Sequence, residues 1–192
     1  MALSNPRTFN AAFHVRLLVP IEDELLHLAL TTIALVWDRH VGRSQEFTVS
    51  VARLVKTPTG VDANGAYEHE RHHFAFALSS MFGSHEGNVR KGLIIRVAAH
   101  EAMHAVQHAR GENLDAVPQP GSPDYESSPL EVEAHRESAL VLKGYYANLQ
   151  GPIPLGNGRF FEIPDTSPYT ALWEELETRG ASVRVLSREA TS

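Results

Sequence analysis

With 192 residues, 43% of them hydrophobic and 21% charged, the chain has the make-up of a globular protein rather than a disordered or fibrous one, and the length of one domain, residues 1–192. Its formal net charge of -6 repels phosphate backbones and argues against nucleic acid as a partner. The absence of cysteine excludes disulfides and thiolate metal sites and fits a reducing compartment; the 11 histidines are the one oddity of composition.

Residues 1–20 lack a basic start followed by a long apolar run, so they do not read as a secretory signal, and no element is assigned to them. The apolar stretch from Leu25 to Trp37 is interrupted by His27, Thr31 and Thr32 and is too short to span a bilayer. A cytoplasmic protein with no membrane partner is expected. Pro20 and the acids Glu22, Asp23 and Glu24 mark a helix start, where the dipole favours negative charge. Leu25, Leu28, Ile33 and Val36 continue that helix to about His40, and Gly42 stops it.

Glu46 to Val55 reads as a strand, with Phe47, Val49 and Val51 on one face. Thr57-Pro58-Thr59-Gly60 and Asn64-Gly65 are turn chemistry. His72 to Ser79 reads as a second strand, and the two together predict a hairpin with a long polar loop. After a loop from Met81, Asn88 caps a helix from Val89 to about Arg110, ended by Gly111. The segment from Asp115 to Pro129 is proline-rich and irregular. Ser127 or Ser128 caps the next helix, with Pro129 in its first turn; it runs to about Leu149 and is closed by Gly151-Pro152. Arg159 to Ile163 predicts a short strand, Ser167-Pro168 opens a helix to Gly180, and Ser182 to Leu186 predicts a last strand. This order gives an α+β class.

The chemistry is concentrated in His100-Glu101-Ala102-Met103-His104. Residues four apart share a helix face, so the two imidazoles can converge on one ion, while Glu101, beside the first, can reach an ion-bound water without ligating the ion. Leu93 and Val97 lie on the face of His100, so the site stands on an apolar stripe. The run Val97-Ala98-Ala99-His100-Glu101-Ala102-Met103-His104-Ala105-Val106 resembles the extended signature of the zincin metallopeptidases: Val three before the first His, and uncharged residues around both. The third metzincin His would fall on Arg110, so the metzincin pattern is not followed.

A catalytic zinc takes three protein ligands and one water. The next helix offers Glu131-Val132-Glu133-Ala134-His135. This segment resembles the gluzincin form, in which a Glu on a downstream helix is the third ligand. The resemblance implies Glu131, with His135 where Asp or Asn is usual, and Glu133 as the competitor. The two are two residues apart and cannot both face the ion. His135 can hydrogen-bond a ligand or a substrate oxyanion, and Tyr125 stands where zincins often place an oxyanion-stabilising tyrosine. His108 lies too far along its helix to join the same ion. Glu68-His69-Glu70-Arg71-His72-His73 reads as a solvated rim, with a second metal site as the sharper alternative.

The resemblance implies a zincin-like α+β domain, a small mixed or antiparallel sheet packed on the active-site helix and a following glutamate-bearing helix. It implies a zinc metallopeptidase with His100, His104 and Glu131 as metal ligands, Glu101 as general base, and a peptide or protein substrate. The cleft stands open or is completed by a partner protein. The alternatives are a zincin-fold module that binds metal without turnover and a metal-free helical scaffold.

Overall fold

A computed structural model describes residues 5–56, 60, 62–77, 87–146, 153–156, 159–161 and 167–190. Its strands are β1 (Arg7–Leu17), β2 (Gln45–Ala52), β3 (Val55–Lys56), β4 (Asp62–Ala63), β5 (Gly65–Glu68), β6 (His73–Ala77), β7 (Ile153–Gly156), β8 (Arg159–Phe161) and β9 (Ala181–Ala190). Its helices are α1 (Asp23–His40), α2 (Gly87–Ala109), α3 (Pro129–Tyr145) and α4 (Thr170–Arg179). The predicted α+β class holds.

Five strands form one mixed sheet in the order β5-β6-β2-β1-β9. β1 runs parallel to both β2 and β9, β2 runs parallel to β6, and only β5 is antiparallel, to β6. The hairpin expected from Glu46 to Ser79 is therefore corrected: its two strands are neighbours, but parallel, with Val49 opposite Phe74. Alternation of apolar and polar residues is the same in either direction, so it carries no information on strand sense. The connection holds β5, which takes the antiparallel place beside β6 that the hairpin would have filled. Ser79, the loop from Met81, and Leu149 with Gly151-Pro152 fall outside the described residues.

The largest addition to the sequence reading is β1. Phe9, Ala11, Phe13, Val15 and Leu17 alternate inward, and all are buried. Phe13 stacks on Phe47, its neighbour in register on β2, at 6.1 Å between ring centres. On β2 the buried Phe47, Val49 and Val51 alternate with exposed or half-buried residues, so one face of the sheet carries the main core; on the other, Ala75 and Ala77 of β6 form a small second cluster with Val55. α1 packs on β1 and on α2, and α2 packs on α3 and β5. α1 ends as expected: Gly42, at φ 67°, bonds its N–H to the Trp37 carbonyl. Among the described residues no helix is long and apolar enough to cross a membrane.

Two contacts place the site. The Ser128 hydroxyl accepts the Glu131 N–H at the start of α3, with Pro129 in the first turn, as the sequence predicts. At the other side β5 passes close over α2 because residue 65 has no side chain: a Cβ there would lie 2.7 Å from Val97 Cγ1 and 3.1 Å from Glu101 Cγ. Gly65→Ala is thus expected to destabilise the fold by about 1–3 kcal/mol through overpacking. Gly92→Ala, inside α2 with its nearest neighbour at an ordinary 3.4 Å, is expected to stabilise it by about 0.5–1 kcal/mol through helix propensity. Thermal melts of both variants check this; equal shifts for the two would contradict the close approach.

Candidate metal centre

α2 sets the first two donors. Its inward face is built of Ile94, Ile95, Ala98, Ala99, Ala102, Met103 and Val106, all buried, and the small residues let neighbouring elements come close. On the face toward α3, His100 and His104 converge, with ring centres 4.8 Å apart and ring planes nearly perpendicular. Their Nε2 atoms are 3.2 Å apart. α3 brings in Glu131, only 2% exposed. Its Oε2 lies 3.3 Å from His100 Nε2 and its Oε1 3.2 Å from His104 Nε2.

These three spacings test the fit to a metal. Donor atoms bonded at about 2.0–2.1 Å and set at tetrahedral angles around one zinc ion lie about 3.3 Å from each other. The two ring nitrogens already stand at that separation, and each lies at it from one oxygen of the Glu131 carboxylate, Oε2 for His100 and Oε1 for His104; the donor chemistry suits a borderline cation. His100 Nδ1 is buried with no hydrogen-bond partner, and the buried Glu131 Oε2 has the His100 imidazole beside it at 3.3 Å; a buried polar atom left unbonded is costly unless something binds it. Among the described residues this is the only group of three or more His, Asp or Glu side chains close enough to share one ion.

The choice between the two glutamates is decided by geometry. Glu133 points elsewhere: its Oε1 is 2.8 Å from an Arg110 guanidinium nitrogen and its Oε2 accepts from Gln107 at 3.0 Å. Glu101 is buried beside the donor cluster, and the Tyr67 backbone N–H of β5 donates to its carboxylate. Burial raises its pKa most; the charges of His100 and His104 oppose this, and the net direction is up. Glu131 goes the other way. Burial opposes its ionisation, but its bonds with His100 and His104 outweigh that and hold it below the usual carboxylate range.

Other candidates fall into place around this core. The His135 ring centre lies 4.6 Å from that of His100, and burial followed by the His100 charge lowers its pKa to about 4, so it is neutral at pH 7. Tyr125, in a single helical turn before α3, is pushed up by burial, by the charges of Glu131 and Glu101, and by a hydrogen bond with Glu131. Its hydroxyl therefore stays protonated beside the cluster. His108 joins no ligand set with His104. It packs against His69, edge-on, and His72, tilted, each with ring centres 5.3 Å from it, and Tyr67 Oη lies 3.3 Å from its Nδ1 and 3.0 Å from that of His72. His73 is bonded to Ser50 at 2.8 Å, so the charged run between Glu68 and His73 is a partly packed rim. His85 and Glu86 lie outside the described residues. Tyr145 packs on Tyr146 and Trp173, away from the donors.

The sequence reading missed Gln107, whose Oε1 lies 2.8 Å from His104 Nδ1. The signal was present, since residues three apart share a helix face. The strand His73–Ala77 is interior, between β5 and β2, and β5 is the edge beside α2.

Burial pushes the His104 imidazolium down, but its bond to Glu131 and the charges of Glu101 and Glu131 push it further up, to about 9 before any metal binds. Metal uptake must then displace a proton from His104 at neutral pH, while Glu131 is already ionised. Apparent affinity for zinc is expected to rise about tenfold per pH unit between about pH 6 and 8 and to level off above about 9. Chelator-competition titrations across that range check this; an affinity independent of pH would contradict it.

No protein-family model, curated protein or solved structure matches the chain. The residues themselves establish a buried His-His-Glu group that can hold a metal ion.

Proposed function

We propose that this chain is a zincin-like, zinc-dependent metallopeptidase, with the ion held by His100, His104 and Glu131 and with Glu101 as general base. One observation carries the reading: two imidazole nitrogens 3.2 Å apart each face one oxygen of the Glu131 carboxylate at 3.2–3.3 Å, and a second buried carboxylate, Glu101, stands beside that group. A structural metal site is closed by four protein ligands, whereas three ligands and a neighbouring base leave a position for water. The sequence around both histidines adds the resemblance to the zincin signature.

Bound zinc would supply Lewis-acid polarisation of the substrate carbonyl and a water acidified from about pKa 15.7 toward about 7. The chain's own residues do the rest. Glu101, held by the Tyr67 N–H, accepts the water proton and delivers it to the departing amine. Its raised pKa suits both halves of that transfer, because the acid formed midway is not too strong to persist. Tyr125 keeps its proton beside Glu131 and would donate it in a hydrogen bond to the developing oxyanion. Neutral His135 adds no positive charge beside His100. β5, the sheet edge over α2, offers backbone groups for an extended peptide to pair with.

Glu101→Gln keeps the shape of the side chain and removes the base. It is expected to lower kcat on peptide substrates by about 10²–10⁴-fold while zinc stays bound. The measurement is hydrolysis of quenched-fluorescence peptide libraries by native protein and variant, with and without chelator, alongside zinc content. Native protein that holds zinc yet cleaves nothing would replace this reading with the metal-binding module that lacks turnover.

A further inference from the structure

We propose that Gln107 is a positioning residue for the metal: its side-chain amide fixes the ring orientation and tautomer of His104 and ties that ligand's helix to the turn that carries Glu131. This rests on reading His100, His104 and Glu131 as ligands.

Gln107 has 0% exposure, so its hydrogen bonds must be made within the protein. Its Nε2 lies 2.9 Å from the Leu130 carbonyl oxygen and 3.0 Å from Glu133 Oε2, and its Oε1 lies 2.8 Å from His104 Nδ1. The carbonyl can only accept, and Glu133, paired with Arg110 at 2.8 Å, is an acceptor as well. The amide NH₂ must therefore occupy that side. A flipped amide would set its oxygen against two acceptors in a dry site, which is the costly arrangement. The orientation of the amide thus follows from the chemistry of its neighbours.

The consequence reaches the ion. With Oε1 toward His104, that oxygen must accept, so Nδ1 must carry the proton. The lone pair of the neutral ring is then on Nε2, the atom 3.2 Å from both His100 Nε2 and Glu131 Oε1. The same amide grips Leu130, in the first turn of α3 and next to Glu131, so one side chain sets the spacing of donors from two helices. His100 has no such support, since its Nδ1 is buried without a partner. The two imidazoles are unequal, one locked and one free to adjust.

The test uses the full chain and zinc alone as probe. Zinc affinity is measured by chelator competition for native protein, Gln107→Leu, Glu133→Gln and Phe13→Leu. Gln107→Leu is expected to weaken zinc about 10–100-fold, the usual cost of losing an outer-shell partner. Glu133→Gln retains an acceptor oxygen for Gln107 and is expected to stay within about threefold of native, below that outer-shell range. Phe13→Leu, a buried change in β1, controls for stability: it is expected to lower the melting temperature and leave zinc affinity unchanged. Long-range ¹H–¹⁵N spectra of zinc-loaded native protein are expected to show His104 protonated on Nδ1, a signal the Gln107→Leu variant loses or broadens. Gln107→Leu that binds as tightly as native, or Phe13→Leu that weakens zinc equally, overturns the proposal. Native protein that binds no zinc overturns the site reading as well, which separates the two failures.

Discussion

A carboxylate that is almost wholly removed from water has to be met by positive charge, and in this fold Glu131 is met by two imidazole nitrogens at 3.2 and 3.3 Å. Much of the architecture around it follows from that constraint. The α2 and α3 helices must pack closely, and the run of buried alanines on α2 permits it. The start of α3 must be exact, and the Ser128 cap with Pro129 fixes it one turn before the carboxylate is needed. With no metal bound, a proton on His104 can supply the charge; a divalent cation would supply more of it to the same three side chains. The site is in this sense a proton-filled form of the metal site we propose.

Glu101 sits on the other side of the same balance. It neighbours Glu131 in space and is buried too, so two carboxylates compete for limited positive charge, and they separate: Glu131 is driven toward ionisation and Glu101 toward holding its proton. A pair of acids pushed apart in this way is a common arrangement where one binds and the other transfers protons. The division depends on the sheet as well as on the helices. β5 lies over α2 only because Gly65 leaves room, and that approach brings the Tyr67 N–H to the base.

How much of this the sequence could convey differs from element to element. The α2 and α3 helices, the Gly111 stop of α2, the Ser128-Pro129 start of α3 and the convergence of His100 with His104 are local, since helix spacing and a Ser-Pro start depend on a few neighbouring residues; the Asn88 cap is corrected, because α2 begins at Gly87. Strand direction is not local. β2 and β6 have the alternation of a hairpin, yet a crossover through β5 makes them parallel, and nothing in either strand records it. β1 was legible in the sequence, because Phe9, Ala11, Phe13, Val15 and Leu17 alternate cleanly along its 11 residues, with Asn5-Pro6 before them and Pro20 after. The choice of Glu131 over Glu133 required three dimensions: both lie in the first turns of α3, and only packing shows that Gln107 and Arg110 claim the second.

The most direct test of the central claim is crystallographic. Crystals of the full chain grown with zinc and measured at the zinc absorption edge are predicted to show one anomalous peak about 2.0–2.2 Å from His100 Nε2, His104 Nε2 and a Glu131 carboxylate oxygen, with a further position open to solvent. A peak held by other residues, or none at all with both imidazoles turned away from Glu131, would contradict the account.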